Sequence, residues 1–446
     1  MTNRPNIAVV VLDTLRFDLF EKHFDWLSGR KFKQAYSTSH WTVPAHGSLF
    51  TGQYPSEVGV HSLSQELDCP EATIAETLQQ SGYTTRKYSA NLNLHAWDGW
   101  DRGFTQNIGP NELRSYYESN TVDFSRITSN SDKTGIELYL SAMIECFKQD
   151  KSTIYSLFEG IRQVLQPGNG SSAKQILREL NKSSFGTGEF LFINIMDTHV
   201  PYYPPAEYRT LDTPVVTNNW EPFTDGVSNL SEIKTAYEDS VRYLSDIYRQ
   251  IHERLLNEFD FIITLSDHGE MLGEHGMIDH SYGLYPQLIH IPLIISGSEI
   301  DENIVNDPVS ILDVHATIAD IADVEINSRG QSILDTTPGQ DRLVEYQGLP
   351  LWLEEAFLDH GVSQVKYDQI NKPLCGLITN SGTYAFETHD NGMIVDNVDE
   401  TDPNDIESYV SRIHNINSNM RMREEYDTQD EVDQSVMRRL DKLGYA

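Results

Sequence analysis

Residues 261–276 read FIITLSDHGEMLGEHG, an apolar, β-branched run that stops at Asp267-His268 and continues into glycines and acids. A short run with no alternating polar face is the pattern of a strand covered on both sides. Strands of that kind belong to parallel sheets flanked by helices, where ligands gather beyond the carboxyl ends of the strands. The placement of Asp267 and His268 therefore raises the question of what else in the chain ends a strand in the same way.

Two other runs do. NIAVVVL at 6–12 is followed directly by Asp13, and FLFINIM at 190–196 leads into Asp197-Thr198-His199. A fourth run, IPLIIS at 291–296, completes the set. Between the runs lie helical patterns, ATIAETLQQSG at 72–82, closed by a glycine, and the long amphipathic stretch 231–259. The alternation predicts an α/β fold, a mostly parallel central sheet sandwiched by helices.

Residues 107–185 are polar, rich in Ser and Asn, and predict a mostly helical insertion covering the site, with PGNGSSA at 167–173 as an exposed loop. Beyond about residue 340 the pattern shortens: LCGLIT at 374–379, then TYAFETHDNGMIV at 383–395 with a turn at Asp390-Asn391-Gly392, then helices near 405–416 and 429–443. Asn-Gly between alternating runs is a hairpin signal. A catalytic domain over 1–340 and a small C-terminal antiparallel-sheet subdomain with helices over 341–446 are expected. There are no internal repeats.

The 446 residues hold 33 Lys plus Arg against 67 Asp plus Glu, a net charge of −34. Such a surface repels nucleic acid and anionic lipid, so neither is an expected partner. Acidic residues spread along the chain, without a separate acidic tail, suit a hydrated surface in high salt, so a salt-loving source is expected. Cys69, Cys146 and Cys375 are far apart and predict neither disulfides nor a thiolate metal site. The N-terminal MTNRPNIAVVVLDTLR has too short an apolar run for a signal peptide, and no stretch approaches a membrane span, so a soluble, cytoplasmic protein is expected.

Asp13, Asp267 and His268 offer two carboxylates and an imidazole, an oxygen-rich donor set suited to one divalent ion of Zn, Mn, Mg or Ca. Taken singly, an Asp after a strand is commonly a helix cap and a His a structural group; together at strand ends they point to a ligand cluster. Thr42 precedes a helical pattern, PAHGSLFTG, with Pro44 suited to the first turn. A nearby cation and a helix N-terminus both favour an alkoxide there, and the same helix end would hold an anionic ester. The local sequence equally allows Thr42 to be the helix cap.

The order DTLRFD at 13–18, TVPAHGSLFTG at 42–52, DTHVPYYPP at 197–205, SDHGEMLGEHG at 266–276 and LYPQLIHIPLII at 284–295 resembles the sulfatase family of the alkaline phosphatase superfamily. The resemblance implies that family's fold, with its small C-terminal subdomain. It implies metal ligation by Asp13, Asp267 and His268, with Thr42 at the nucleophile position and also on the ion. It places His199 toward the substrate and His280, in GMIDHSYGLY, where relatives keep a Lys or His that meets the ester and helps the leaving group. His275 falls in a supporting position; Asp279 and His61 carry weaker matches.

The chain departs from that family in two places. Sulfatases convert a Cys or Ser in a Cys-x-Pro-x-Arg arrangement to formylglycine, whereas Thr42-Val43-Pro44-Ala45-His46 has a threonine and puts His46 in the arginine's place. Thr14 stands where many sulfatases carry a second metal-binding aspartate. Both departures resemble relatives that cleave or transfer phosphate esters with a threonine nucleophile. The expected activity is a metal-dependent hydrolase or transferase of phosphate-type esters through Thr42, with His199, His280 and His46 binding oxygens or protonating the leaving group. The alternatives are a sulfuric ester hydrolase working without formylglycine and a noncatalytic member that binds an anion. The partner is a small anionic ester, such as a glycan or lipid headgroup derivative; oligomeric state is open. His199 and His280 show no further carboxylate partner for a second ion, so one ion is expected.

Overall fold

A computed structural model describes residues 4–109, 171–335, 339–350, 353–396 and 402–423. Its centre is a sheet of nine strands: β1 (Ile7–Leu12), β2 (Arg30–Tyr36), β3 (Thr84–Ser89), β4 (Gln106–Ile108), β5 (Glu189–Ile195), β6 (Phe261–Leu265), β9 (His290–Gly297), β10 (Asn303–Val305) and β11 (Val309–Ser310), with β7 (Met271–Leu272) and β8 (Ile278–Asp279) forming a separate two-stranded ribbon between β6 and β9. The spatial order is β10-β2-β9-β6-β1-β5-β3-β4, with β11 also on β2. All pairings are parallel except those of β9, which runs antiparallel to β2 and β6. The IPLIIS run is thus the strand that makes the sheet mixed.

The alternation of β1 shows how the sheet is buried. Ile7, Val9 and Val11 join one apolar cluster and Ala8, Val10 and Leu12 the other, none more than 1% exposed. Burial of every side chain on both faces is the reason the strand reads as a continuous apolar run. One face is covered by α2 (Thr42–Thr51) and α5 (Ile311–Ile321), the other by α1 (Phe17–His23), α3 (Ser172–Lys182) and α4 (Leu230–Leu256). The helix expected over 72–82 spans Ile74–Gln80, where Thr73 accepts from Glu76 N and Glu76 reaches back to Thr73 N, a capping box.

A four-stranded antiparallel sheet, β12 (Arg342–Tyr346), β13 (Leu374–Ile378), β14 (Tyr384–Thr388) and β15 (Gly392–Val395), follows, with the Asp390-Asn391-Gly392 turn between β14 and β15 and α6 (Pro403–Ser418) after it. It is tied to the main body by buried polar bonds. Arg342 forks onto both oxygens of Asp313 at 2.8 and 3.0 Å, and Glu345 accepts from Ser56 N and Oγ at 3.0 and 2.6 Å. Most of the expected insertion, the loop ahead of residue 171, Cys146 and the helix expected at 429–443 lie outside the described residues. No helix among the described residues is long and apolar enough to cross a membrane.

Candidate active site

β5, β1 and β6 are neighbours in that order, so the residues after their carboxyl ends emerge side by side. Asp13 follows β1, Asp267 and His268 follow β6, and all three side chains are fully buried, with ligand atoms within 4.8 Å of one another. His268 Nε2 lies 3.9 Å from Asp13 Oδ1 and 3.4 Å from Asp267 Oδ2. Thr42, the first residue of α2, brings its hydroxyl 3.3 Å from the same nitrogen. The helix cap is Trp41, without a side-chain cap bond, so the Thr42 hydroxyl is not spent on capping.

The hydrogen bonds show what this cluster lacks. Asp13 Oδ2 accepts from Asn91 Nδ2 at 2.8 Å and Asn194 Nδ2 at 3.0 Å, and Asp267 Oδ1 accepts from the amides of Thr14 and His268 at 3.3 and 3.0 Å. Asp13 Oδ1 and Asp267 Oδ2 are buried and have no hydrogen-bond donor. His268 Nδ1–H donates to Gly269 O at 2.9 Å, which leaves Nε2 with a lone pair. Burial and the neighbouring His280 hold this imidazole neutral, its pKa lowered to about 3. Two bare carboxylate oxygens, an imidazole lone pair and a hydroxyl, spaced 3.3–3.9 Å in the distances above, match the ~3–4 Å edges around an ion bonded at ~2.0–2.5 Å. The donor set fits one divalent cation.

The surrounding motifs hold this geometry. Arg16 is buried and donates to Glu270 O at 3.2 Å, Glu274 Oε1 at 2.8 Å and Asp18 Oδ1 at 2.9 Å, fastening the segment after β1 to the segment after β6. Gly269 passes so close to residue 287 that an added Cβ would lie 2.0 Å from Gln287 O, which is why a glycine follows His268. Thr14 takes a left-handed backbone, φ 61°, unusual for a β-branched residue, with Tyr237 Oη donating to its carbonyl at 2.6 Å. Its own hydroxyl is buried without a partner.

His199 and His280 stand beside the cluster. Their rings are 5.0 Å apart, and the His280 ring is 4.6 Å from that of His268. His199 Nδ1–H donates to Val200 O at 2.8 Å. His280 Nδ1 lies 3.2 Å from Glu270 Oε1 and 3.8 Å from Asp279 Oδ1. Burial alone would lower the His280 pKa, but the Glu270 and Asp279 carboxylates outweigh it and raise it to about 10. These residues correct the expectation that His199 and His280 lack a carboxylate neighbour: Glu270, Asp279 and His280 form a second compact group. In this group, however, the carboxylate oxygens already have donors from Tyr202, His280, Ser281 and Thr217.

His46 differs from its expected role of meeting the ester. It lies one turn beyond Thr42 on α2, fully buried, with Nδ1–H donating to Thr42 O at 2.8 Å and sitting 3.5 Å from Asp267 Oδ2. Its ring meets Phe50 and Phe192 edge-on at 6.0 and 5.7 Å. It therefore supports Thr42 from the core side. His275 stacks on Tyr285 at 4.7 Å, and His61 accepts from Leu63 N at 3.2 Å, each a local structural contact. Asp279 anchors a turn, as described below.

The sequence reading missed Asn91, Asn194, Glu270 and His40. Asn194 had a signal, an amide inside the apolar FLFINIM run, and Asn91 follows β3 as Asp13 follows β1. His40, two residues before Thr42, is fully buried, and burial above all, then its histidine neighbours His268 and His280, holds it well below the ordinary histidine pKa.

The sulfatase family model matches residues 5–324. The chain is 23% identical over 399 residues to the choline-sulfatase of Rhizobium meliloti, spanning 77% of this chain and 74% of that protein. It is 22% identical over 469 residues to an ulvan-active sulfatase of Formosa agariphila, spanning 99% and 82%. Among solved structures, the phosphonate monoester hydrolase of Silicibacter pomeroyi superposes with a TM-score of 0.64 at 16% identity over 95% of this chain and 96% of that one, which shows a shared fold.

Proposed function

The chain belongs to the sulfatase family and is an ester hydrolase of the alkaline phosphatase superfamily, and on that premise we propose that it is a metal-dependent hydrolase or transferase of phosphate-type esters with Thr42 as nucleophile. The observation that carries this reading is the Thr42 hydroxyl 3.3 Å from His268 Nε2, beside two buried carboxylate oxygens without donors. A divalent ion held by Asp13, Asp267, His268 and Thr42 would lower the hydroxyl's pKa and neutralise an ester oxygen. The chain's own contributions are separable. Asn91 Nδ2 donates to Thr42 Oγ1 at 3.3 Å as well as to Asp13, fixing the hydroxyl relative to the carboxylate. His46 holds the Thr42 carbonyl, the start of α2 turns the positive end of its dipole to an anion, and His199 and His280, with rings 5.0 Å apart, would meet the remaining ester oxygens.

Threonine favours phosphate over sulfate. It lacks the hydrated aldehyde that lets formylglycine expel sulfate, whereas a phosphoryl-threonine is released by attack of water at phosphorus. A second reading, sulfuric ester hydrolysis, is favoured by relatives named as sulfatases. The acidic surface sets the conditions of assay: activity in molar salt. Aryl sulfate, phosphate monoester, phosphodiester and phosphonate monoester substrates are compared with each metal, followed by intact-mass analysis. A phosphoryl adduct on Thr42, lost in Thr42→Ala, is the expected result; a sulfuryl adduct or turnover of sulfate esters alone would overturn the reading.

A further inference from the structure

Glu270 lies two residues beyond His268 and is fully buried. A buried carboxylate persists only where its charge is met by hydrogen bonds or a counter-charge. Two groups meet this one. His280 Nδ1 lies 3.2 Å from Oε1 and 3.4 Å from Oε2, and Tyr202 Oη donates to Oε2 at 2.9 Å. Tyr202 belongs to the segment that carries His199, so the carboxylate is braced by one segment and holds the imidazole of another. Asp279 does a different task. Its Oδ1 accepts from His280 N at 2.6 Å and from Ser281 N and Oγ at 3.0 and 2.7 Å, and its Oδ2 accepts from Thr217 Oγ1 at 3.2 Å. Asp279 fixes the backbone of the turn, itself left-handed at φ 69°, and Glu270 fixes the ring.

With Nδ1–H committed to Glu270, Nε2 is the His280 nitrogen left to act, in a ring 4.6 Å from His268 and 5.0 Å from His199. We propose that Glu270, braced by Tyr202, is a positioning residue that orients His280 so that Nε2 protonates the leaving-group oxygen of the ester; this rests on the Thr42 reading above. In the first half-reaction deprotonated Thr42 Oγ bonds to phosphorus, the bond from phosphorus to the leaving oxygen breaks with its electron pair on that oxygen, and the oxygen takes the Nε2 proton. In the second, a water oxygen bonds to phosphorus, the Thr42 bond breaks with its pair returning to Oγ, and one water proton goes to Nε2.

The test is a series of aryl and alkyl phosphate-type esters with leaving groups from nitrophenol to a simple alcohol, run on wild type, Glu270→Gln, Tyr202→Phe, His280→Ala and the Glu270→Gln/His280→Ala double variant, with bound metal measured for each. Glu270→Gln is expected to lose about 100-fold in kcat/KM on the poorest leaving group and less than about threefold on nitrophenyl esters, the size of a general-acid contribution. Tyr202→Phe shows the same slope at smaller amplitude and keeps the test open where Glu270→Gln does not fold. The double variant is no worse than His280→Ala. A uniform loss across leaving groups, additive losses, or a second ion in wild type that Glu270→Gln releases would overturn the proposal. If wild type forms no Thr42 adduct, the reading of the site falls and the proposal with it; if the adduct forms and the leaving-group slope is unchanged in Glu270→Gln and Tyr202→Phe, only the proposal falls.

Discussion

Asp13, Asp267 and His268 form one buried group, and Glu270, Asp279 and His280 form another beside it, each with two carboxylates and one imidazole. Composition does not distinguish them; hydrogen bonding does. In the second group Tyr202 Oη and His280 Nδ1 meet Glu270, while amides and hydroxyls meet Asp279. In the first, Asp13 Oδ1 and Asp267 Oδ2 are buried with no donor. A buried anionic oxygen without a donor is costly unless a cation meets it. The difference teaches that unmet oxygens, rather than residue types, mark where an ion belongs, and that the saturated group is suited to holding a histidine.

The contrast can be broken at several places. Thr42→Ala should cost at least about 10⁴-fold in turnover while bound metal stays at one ion per chain, because the proposed nucleophile is lost and the three other proposed donors remain; substantial residual turnover would remove Thr42 from the chemistry. Asp267→Asn should weaken metal binding at least about 10³-fold and yet make the metal-free protein more stable, since an unmet buried charge disappears. Glu270→Gln should do the opposite, leaving the first ion bound and lowering stability by about 1–3 kcal/mol as a satisfied carboxylate loses a partner. Thermal melts with and without chelator separate the two, and the same sign for both would erase the distinction.

A third buried carboxylate sharpens it. Glu345 has its pKa raised to about 7 by burial, which outweighs the Ser56 hydrogen bonds. The folded state therefore holds this proton more tightly than the unfolded chain, whose glutamate titrates near ~4.3. The stability it contributes is full below about pH 4.3 and is lost as pH rises toward about 7, by roughly 3 kcal/mol, and Glu345→Gln should flatten that slope in denaturant titrations. The smallest effect is expected at Thr14, where Thr14→Gly relieves the left-handed strain and should raise metal-free stability by about 1 kcal/mol.

Much of this was legible in the sequence because burial on both faces leaves a plain mark. β1, β5, β6 and β9 are continuous apolar runs, and the acids and histidines that end the first three stand out against them. β2 (RKFKQAY) and β3 (TTRKYS) carry charge inside the sheet and gave no such mark. Lys87 in β3 is buried because Leu94 O, Trp100 O and Asp101 Oδ1 accept its protons at 2.7, 3.0 and 2.6 Å, contacts that no periodicity reveals. The candidate metal ligands were visible for the same reason as the strands, by position. Glu270 was not, because its meaning depends on Tyr202 and His280, 68 and 10 residues away in sequence. His46, expected from the sequence to bind ester oxygens, stands instead behind Thr42, held there by a helix turn and two phenylalanines.

The central claim concerns where the cation sits, and anomalous scattering from crystals of the metal-loaded protein addresses it directly. The account predicts one strong peak within ~2.0–2.6 Å of Asp13 Oδ1, Asp267 Oδ2, His268 Nε2 and Thr42 Oγ1. A peak among Glu270, Asp279 and His280 instead, or a Thr42 hydroxyl turned out of reach of the ion, would contradict it.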